Sequence, residues 1–205
     1  MSWYEDKVLP RLINLVCAAK PTRKQREKIV PRATGDVLEI GIGSGLNLPY
    51  YDRDKVRRIW GLEPSEGMRR LASAAIDKAA LDVELIDLPG EEIPLDNNSV
   101  DTILVTYTLC TIPEVMIALD GMRRVLKSDG RLLFCEHGKA PDAGVSKWQE
   151  RLNPTWKKFS GGCNMNRDIP ALLTGSGFVI DDDNRMYIPG IRALSYNYWG
   201  SARIG

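Results

Sequence analysis

At 205 residues with 43% hydrophobic content, the chain can pack one α/β domain but is too short to build a second core beside it. Its 28 basic and 27 acidic residues nearly cancel, leaving a formal net charge of +1, which argues against a nucleic-acid footprint or an acidic-membrane docking surface. Four cysteines, Cys17, Cys110, Cys135 and Cys163, are scattered without metal-ligand spacing, so reduced, mostly buried thiols and no metal are expected.

The N-terminus runs Trp3-Tyr4-Glu5-Asp6-Lys7, which lacks the basic start and apolar core of a secretory signal. Val8–Ala19 carries apolar residues at helical spacing but is interrupted by Pro10, Arg11 and Asn14, and it is too short to span a bilayer. An amphipathic helix in a soluble, cytoplasmic protein is therefore expected, with transient membrane-surface contact left open. Pro21 is read as the end of that helix and Arg23–Lys28 as a solvated helical face. Pro31 and Gly35 punctuate the entry to the core, closing a helical cap over residues 1–34.

The next hundred residues alternate strand and helix. Asp36–Ile40 is a short apolar run ended by glycines, as in a buried parallel strand, and Arg57–Leu62 reads as the second strand. Met68–Ala80 is an alanine-rich helix with Leu71, Ala75 and Ile76 on one face and Ser65 as its cap. Val83–Ile86 and Thr102–Thr106 are strands three and four, and Val115–Leu126 is an amphipathic helix. Ser128-Asp129-Gly130 turns the chain into strand Arg131–Cys135. This rhythm predicts right-handed crossovers. From Glu136 to Asp168 it fails, and the segment reads as an inserted lid with a helix around Ser146–Leu152. Helix Ile169–Leu173, strand Phe178–Ile180 and a last strand near Ser195–Trp199 follow. The predicted fold is a Rossmann-like, doubly wound, seven-stranded sheet ending in an antiparallel hairpin, a single domain over residues 1–205 with the lid at 136–168.

The segment Val37-Leu38-Glu39-Ile40-Gly41-Ile42-Gly43-Ser44-Gly45 places three glycines directly after a strand, where backbone can approach a nucleotide-like ligand. A dinucleotide loop needs G-x-G-x-x-G so that pyrophosphate rests on a helix N-terminus. Here the spacing is G-x-G-x-G, preceded by Glu39, which would repel a pyrophosphate. A carboxylate there suits a ligand with an ammonium group, reached directly or through water, and favours the aminoacyl end of S-adenosylmethionine. Glu63 follows 22 positions after Gly41, at the end of the second strand, where it can accept hydrogen bonds from both ribose hydroxyls. Pro64 fixes the turn after it, and Asn47 joins the set just past the glycines.

Along most of its length the chain resembles a class I methyltransferase, on Leu38–Gly45, Leu62-Glu63-Pro64-Ser65 and Arg124–Gly130. More narrowly it resembles the alkyl-thiol methyltransferases of the methyltransferase-like family and their bacterial relatives. That likeness rests on Pro89-Gly90-Glu91-Glu92, Leu109-Cys110-Thr111-Ile112, Glu136-His137, Pro154-Thr155-Trp156-Lys157, Gly162-Cys163 and Arg167. The resemblance implies that Gly90 backbone, with Glu91 nearby, recognises adenine, because Pro89 stands where the class often has a carboxylate. It also implies that the Thr106 carbonyl accepts the ammonium group and that Tyr4 covers the cofactor. The apolar N-terminal anchor of the microsomal relatives is not visible here.

Methyl transfer from a sulfonium is an in-line displacement from an activated donor, so the protein mainly aligns the nucleophile and excludes water. His137, the only histidine, lies at a strand end where sites in open α/β sheets form, and could take a thiol's proton or order the lid. Cys110 is expected near the methyl group, as pocket wall or plain buried thiol. Tyr107, Trp148, Trp156, Asn164 and Arg167 are candidate substrate contacts; the aromatics could wall the pocket and Arg167 could pair with an acceptor anion, or they pack the lid. The expected reaction is S-methylation of a small thiol such as hydrogen sulfide, methanethiol or an alkyl thiol, giving a thioether such as dimethyl sulfide. The alternatives are N-methylation of a phospholipid head group, C- or O-methylation of a quinone-like ring, and a non-catalytic cofactor-binding module. A nicotinamide dehydrogenase is disfavoured by the glycine spacing and Glu39.

Overall fold

The computed structural model describes residues 9–205. Seven strands form one sheet in the order β3-β2-β1-β4-β5-β7-β6. They are β1 Gly35–Ile40, β2 Val56–Leu62, β3 Val83–Ile86, β4 Val100–Thr106, β5 Leu126–His137, β6 Phe178–Tyr187 and β7 Tyr196–Ile204. The first five run parallel, and β7 inserts antiparallel between β5 and β6, so the terminal hairpin completes the sheet as expected. Strand order reverses between β1 and β4. That reversal opens a crevice at the strand C-termini, the usual ligand position in such sheets.

The helices are α1 Leu9–Cys17, α2 Lys20–Ile29, α3 Glu66–Ala79, α4 Val115–Val125, α5 Ala143–Phe159 and α6 Ile169–Gly175. Two apolar layers result. One joins Leu38, Ile103, Leu119, Met122, Phe134 and Leu173, while the other joins Ile29, Val37, Ile59, Leu104 and Leu133. The stripe of α4 (Val115, Ala118, Leu119, Met122, Val125) is buried at helical spacing, worth about 1.5–3 kcal/mol for each large side chain. Ser65 caps α3 as predicted, accepting a hydrogen bond from the Met68 N–H at 3.3 Å.

Four readings need correction. Pro21 does not end a helix; it sits in the first turn of α2, where its missing N–H would have no helical partner anyway. Arg23–Lys28 is not a uniformly solvated face, because α2 docks on the sheet and buries Gln25, Arg26 and Ile29. The Ser128–Gly130 turn lies inside β5 as an irregularity, with pairing jumping from Val100–Leu126 to Thr102–Arg131. The lid helix continues through Pro154 to Phe159 and stops where Gly161 and Gly162 take positive φ. Gln149, fully buried at the centre of this segment, accepts from the Ala140 N–H and donates to the Gly138 and Met165 carbonyls.

Candidate active site

A cavity of about 490 Å³ opens at the C-terminal ends of β1, β2 and β4. Gly41, Gly43, Asn47, Glu63, Pro64, Gly90, Glu91, Thr106 and Tyr107, all expected from the sequence, line it. Gly41 and Gly43 have φ of +67° and +59°. A Cβ on Gly41 would strike the Thr108 side chain at 2.4 Å, whereas on Gly43 its nearest contact is the Gly41 carbonyl at 3.9 Å. Gly43 thus keeps open a space that a side chain would fill.

The Glu63 carboxylate accepts the Ser65 N–H at 2.9 Å and the Gly43 N–H at 3.1 Å, tying the glycine loop to the end of β2. Burial raises its pKa against the pull of these donors, and its remaining lone pairs can accept two vicinal hydroxyls. Asp87, whose role the sequence left open, ion-pairs with Arg69, which also donates to the Glu63 carbonyl at 2.7 Å.

Glu39 does not line the cavity. Its oxygens are taken by Asn47 Nδ2 at 2.8 Å and the Tyr51 hydroxyl at 2.6 Å, and burial pushes its pKa up to about 7. Asn47 donates its other amide hydrogen to Thr106 Oγ1 at 2.9 Å, while its buried Oδ1 finds no partner among the described residues. Glu39 therefore reaches the cavity only through Asn47, whose unpartnered Oδ1 can accept from an N–H donor and offers nothing to a pyrophosphate. Gly45 also lies behind the lining; a Cβ there would meet Leu48 at 2.9 Å and Ala75 at 3.1 Å, so close packing is its reason.

Residues not singled out from sequence complete the lining. Arg26 is 5% exposed, stacks over the Tyr107 ring at 5.0 Å, and holds Nε and one terminal nitrogen without partners among the described residues. A guanidinium with these two nitrogens free among the described residues, bordering the cavity, is suited to a carboxylate. Tyr107 itself takes φ +56°, a costly conformation held in part by its hydroxyl donating to Asn197 Oδ1 at 2.6 Å. Tyr4 lies outside the described residues.

Beside the cavity, three segments bring Cys110, His137 and Cys163 together, with Cys163 Sγ 3.3 Å from His137 Nε2. Cys110 contacts and the adjacent His137 hold the Cys163 pKa down, with Trp156 adding to the effect. Burial disfavours a charged His137, but the neighbouring thiolate outweighs it and raises the imidazole pKa. Cys110, fully buried, is held in the thiol form by the Cys163 contact and by burial. Glu136 accepts the Thr108 and Leu109 N–H groups at 2.8 and 3.1 Å, and burial pushes it up to about 7.

The other expected substrate contacts divide differently. Arg167 donates to the carbonyls of Leu109 and Ile112, the latter at 2.7 Å, and so braces the Cys110 loop instead of facing an acceptor anion. Asn164 Nδ2 donates to the Cys110 carbonyl at 2.9 Å and does the same structural work. Trp148 is 57% exposed on α5 and is not among the residues that line the cavity. Trp156 packs at Cys163 rather than on the main cavity.

Fold and cavity together define a Rossmann-like domain with its site at the strand C-termini, where a glycine loop and a strand-end carboxylate meet. The family model described as "Methyltransferase domain" matches residues 38–134. Among relatives, "Methyltransferase OMS1, mitochondrial" of Saccharomyces cerevisiae is 30% identical over 187 residues, covering 80% of this chain and 38% of that protein. "Thiol S-methyltransferase TMT1B" of Homo sapiens is 32% identical over 142 residues, covering 66% of this chain and 57% of that protein. The chain thus spans about half the length of these relatives or less. Other matches are named as a phosphatidylethanolamine N-methyltransferase and a ubiquinone/menaquinone C-methyltransferase. A solved SAM-dependent methyltransferase from Thermotoga maritima shares the fold, with a TM-score of 0.67 at 19% identity over 98% of both chains. The chain thus carries a methyltransferase domain on the fold of the class I enzymes, and S-adenosylmethionine is the cofactor of that class.

Proposed function

We propose that this chain transfers a methyl group from S-adenosylmethionine to a small thiol, yielding a thioether and S-adenosylhomocysteine. The observation that carries the reading is the group of His137, Cys110 and Cys163 packed beside the cavity at the C-terminal end of β5. When bound, the cofactor supplies an electrophilic methyl on a positively charged sulfur. Glu63 would hold the ribose hydroxyls, Gly90 backbone with Glu91 the adenine, and Asn47 Oδ1 with the Thr106 carbonyl the ammonium group. Arg26 would meet the aminoacyl carboxylate.

At the acceptor end, His137 relieves the thiol of its proton, so that a thiolate lone pair faces the methyl group. Cys110 and Tyr107 form the wall behind it, and Trp156 closes the lid side through Cys163. A thiolate is a strong nucleophile once desolvated, so excluding water matters more here than a strong base. Residues 136–168 act as the lid that does so. No helix among the described residues is long and apolar enough to cross a membrane. A cytoplasmic setting and a small-molecule acceptor, without nucleic acid, remain part of this proposal; oligomeric state is left open.

Incubating the protein with S-adenosylmethionine and methanethiol should release S-adenosylhomocysteine and dimethyl sulfide together, above the rate without enzyme. Release only with phosphatidylethanolamine vesicles or with a demethylated quinone would overturn the thiol assignment and favour a head-group or ring acceptor.

A further inference from the structure

We propose that Cys110, His137 and Cys163 form a binding site for a thiophilic metal ion of the Zn²⁺ type, with a fourth coordination position turned toward the cavity. The two sulfurs and a ring nitrogen lie within 4.8 Å of one another, and the Cys163–His137 contact is 3.3 Å. A tetrahedral zinc, with Zn–S about 2.3 Å and Zn–N about 2.0 Å, separates its ligand atoms by about 3.5–3.8 Å. Small side-chain adjustments close that difference. Two thiolates and one neutral imidazole would cancel the charge of a divalent ion, which suits a site this close to the core. Among the described residues, no other group of three or more histidine, cysteine or acidic side chains comes this close.

The ligands are held from behind, as metal ligands need to be. Arg167 braces the Leu109 and Ile112 carbonyls around Cys110, and Glu136 takes the Thr108 and Leu109 N–H groups. The Asn164 N–H and side-chain amide both donate to the Cys110 carbonyl, at 2.8 and 2.9 Å, linking the Cys110 loop to the residue after Cys163. Thr111, next to Cys110, and Gly161, two residues before Cys163, line the cavity, which sets the open position on that side. There the ion would bind an acceptor as thiolate, its proton leaving to water, and His137 would serve as ligand instead of base. This last link rests on the thiol reading above, whereas the metal site does not.

The test uses the full chain, stripped with chelator under reductant, then titrated with Co²⁺ as the spectroscopic probe and with Zn²⁺ as competitor. One equivalent of Co²⁺ should give thiolate charge-transfer absorption and tetrahedral visible bands, both abolished by Zn²⁺. Cys163→Ser, Cys110→Ser and His137→Ala should each weaken binding at least about 100-fold, while Cys17→Ser keeps it; S-adenosylhomocysteine binding by each variant reports folding. Absence of the charge-transfer band in the wild type, or equal binding by folded Cys163→Ser, overturns the site. Loss of binding in Cys17→Ser overturns the open fourth position. Methanethiol should then shift the bands of the Co²⁺ form. A metal-loaded spectrum indifferent to thiol overturns the substrate link alone, and thiol methylation at full rate by metal-free protein overturns the metal's role while leaving the thiol reading standing.

Discussion

The two ends of the cavity are built in opposite ways. The end we assign to the adenosyl ligand comes from one short segment, Ile40 to Asn47, backed by the buried Glu39 and closed by one carboxylate, Glu63, at the tip of the adjacent strand. What we propose as the acceptor end lies beside the lined cavity and gathers Cys110, His137 and Cys163 from a loop after β4, the end of β5 and the turn after α5. A locally coded site tolerates changes elsewhere in the chain. An assembled one depends on every segment that positions it, and it can diversify without disturbing cofactor binding.

Substitutions should separate the two ends. The largest effect is expected from His137→Ala, with turnover down about 10²–10⁴-fold and S-adenosylhomocysteine affinity within about twofold, read by steady-state kinetics beside calorimetry. Similar losses in both measurements would mean that the ends are not separable. Next comes Gly43→Ala. The left-handed backbone costs about 1–2 kcal/mol, and the new Cβ occupies the open space, so cofactor binding should weaken about tenfold or more while the fold persists. Glu63→Gln should weaken it comparably by removing a charged acceptor, about 1.5–3 kcal/mol, without altering thiol reactivity at Cys163.

Glu39 predicts a pH signature at the adenosyl end. Its folded pKa of about 7 lies above the ordinary carboxylate value, so the fold favours its protonated form. That contribution is fully present below about pH 4.5 and is lost as pH rises through about 7, an effect on the order of 3 kcal/mol. Glu39→Gln should remove this slope from Tm measured between pH 4.5 and 8; an unchanged slope would show that Asn47 and Tyr51 keep Glu39 ionised. The smallest effect belongs to Trp148→Ala. Being exposed on α5, it should alter kcat/KM by less than about twofold, and a larger loss would place α5 over the acceptor.

How far the sequence reached tracks how local the coding was. Val83–Ile86 has the bounds read from its apolar run, and the Ser65 cap and Gly41–Gly43 turn stand where their chemistry required. The basic run over α2 misled because periodicity cannot say which charged residue a docking surface will bury, and Arg26 was covered by packing against Tyr107. Arg167 misled for a related reason: a guanidinium meets backbone carbonyls as readily as a substrate anion, and only the path of the Leu109–Ile112 loop decides which is near.

By itself the amino-acid order determined the alternation of strand and helix, the crossover fold and the glycine–glutamate pair that lines the cavity, because these depend on contacts within or between neighbouring elements. Only the tertiary structure decided that Glu39 reaches the cavity through Asn47, that Arg26 borders the cavity, and that cysteines 53 positions apart, Cys110 and Cys163, meet a histidine between them. Such meetings follow from strand order and lid docking, which no spacing along the chain encodes.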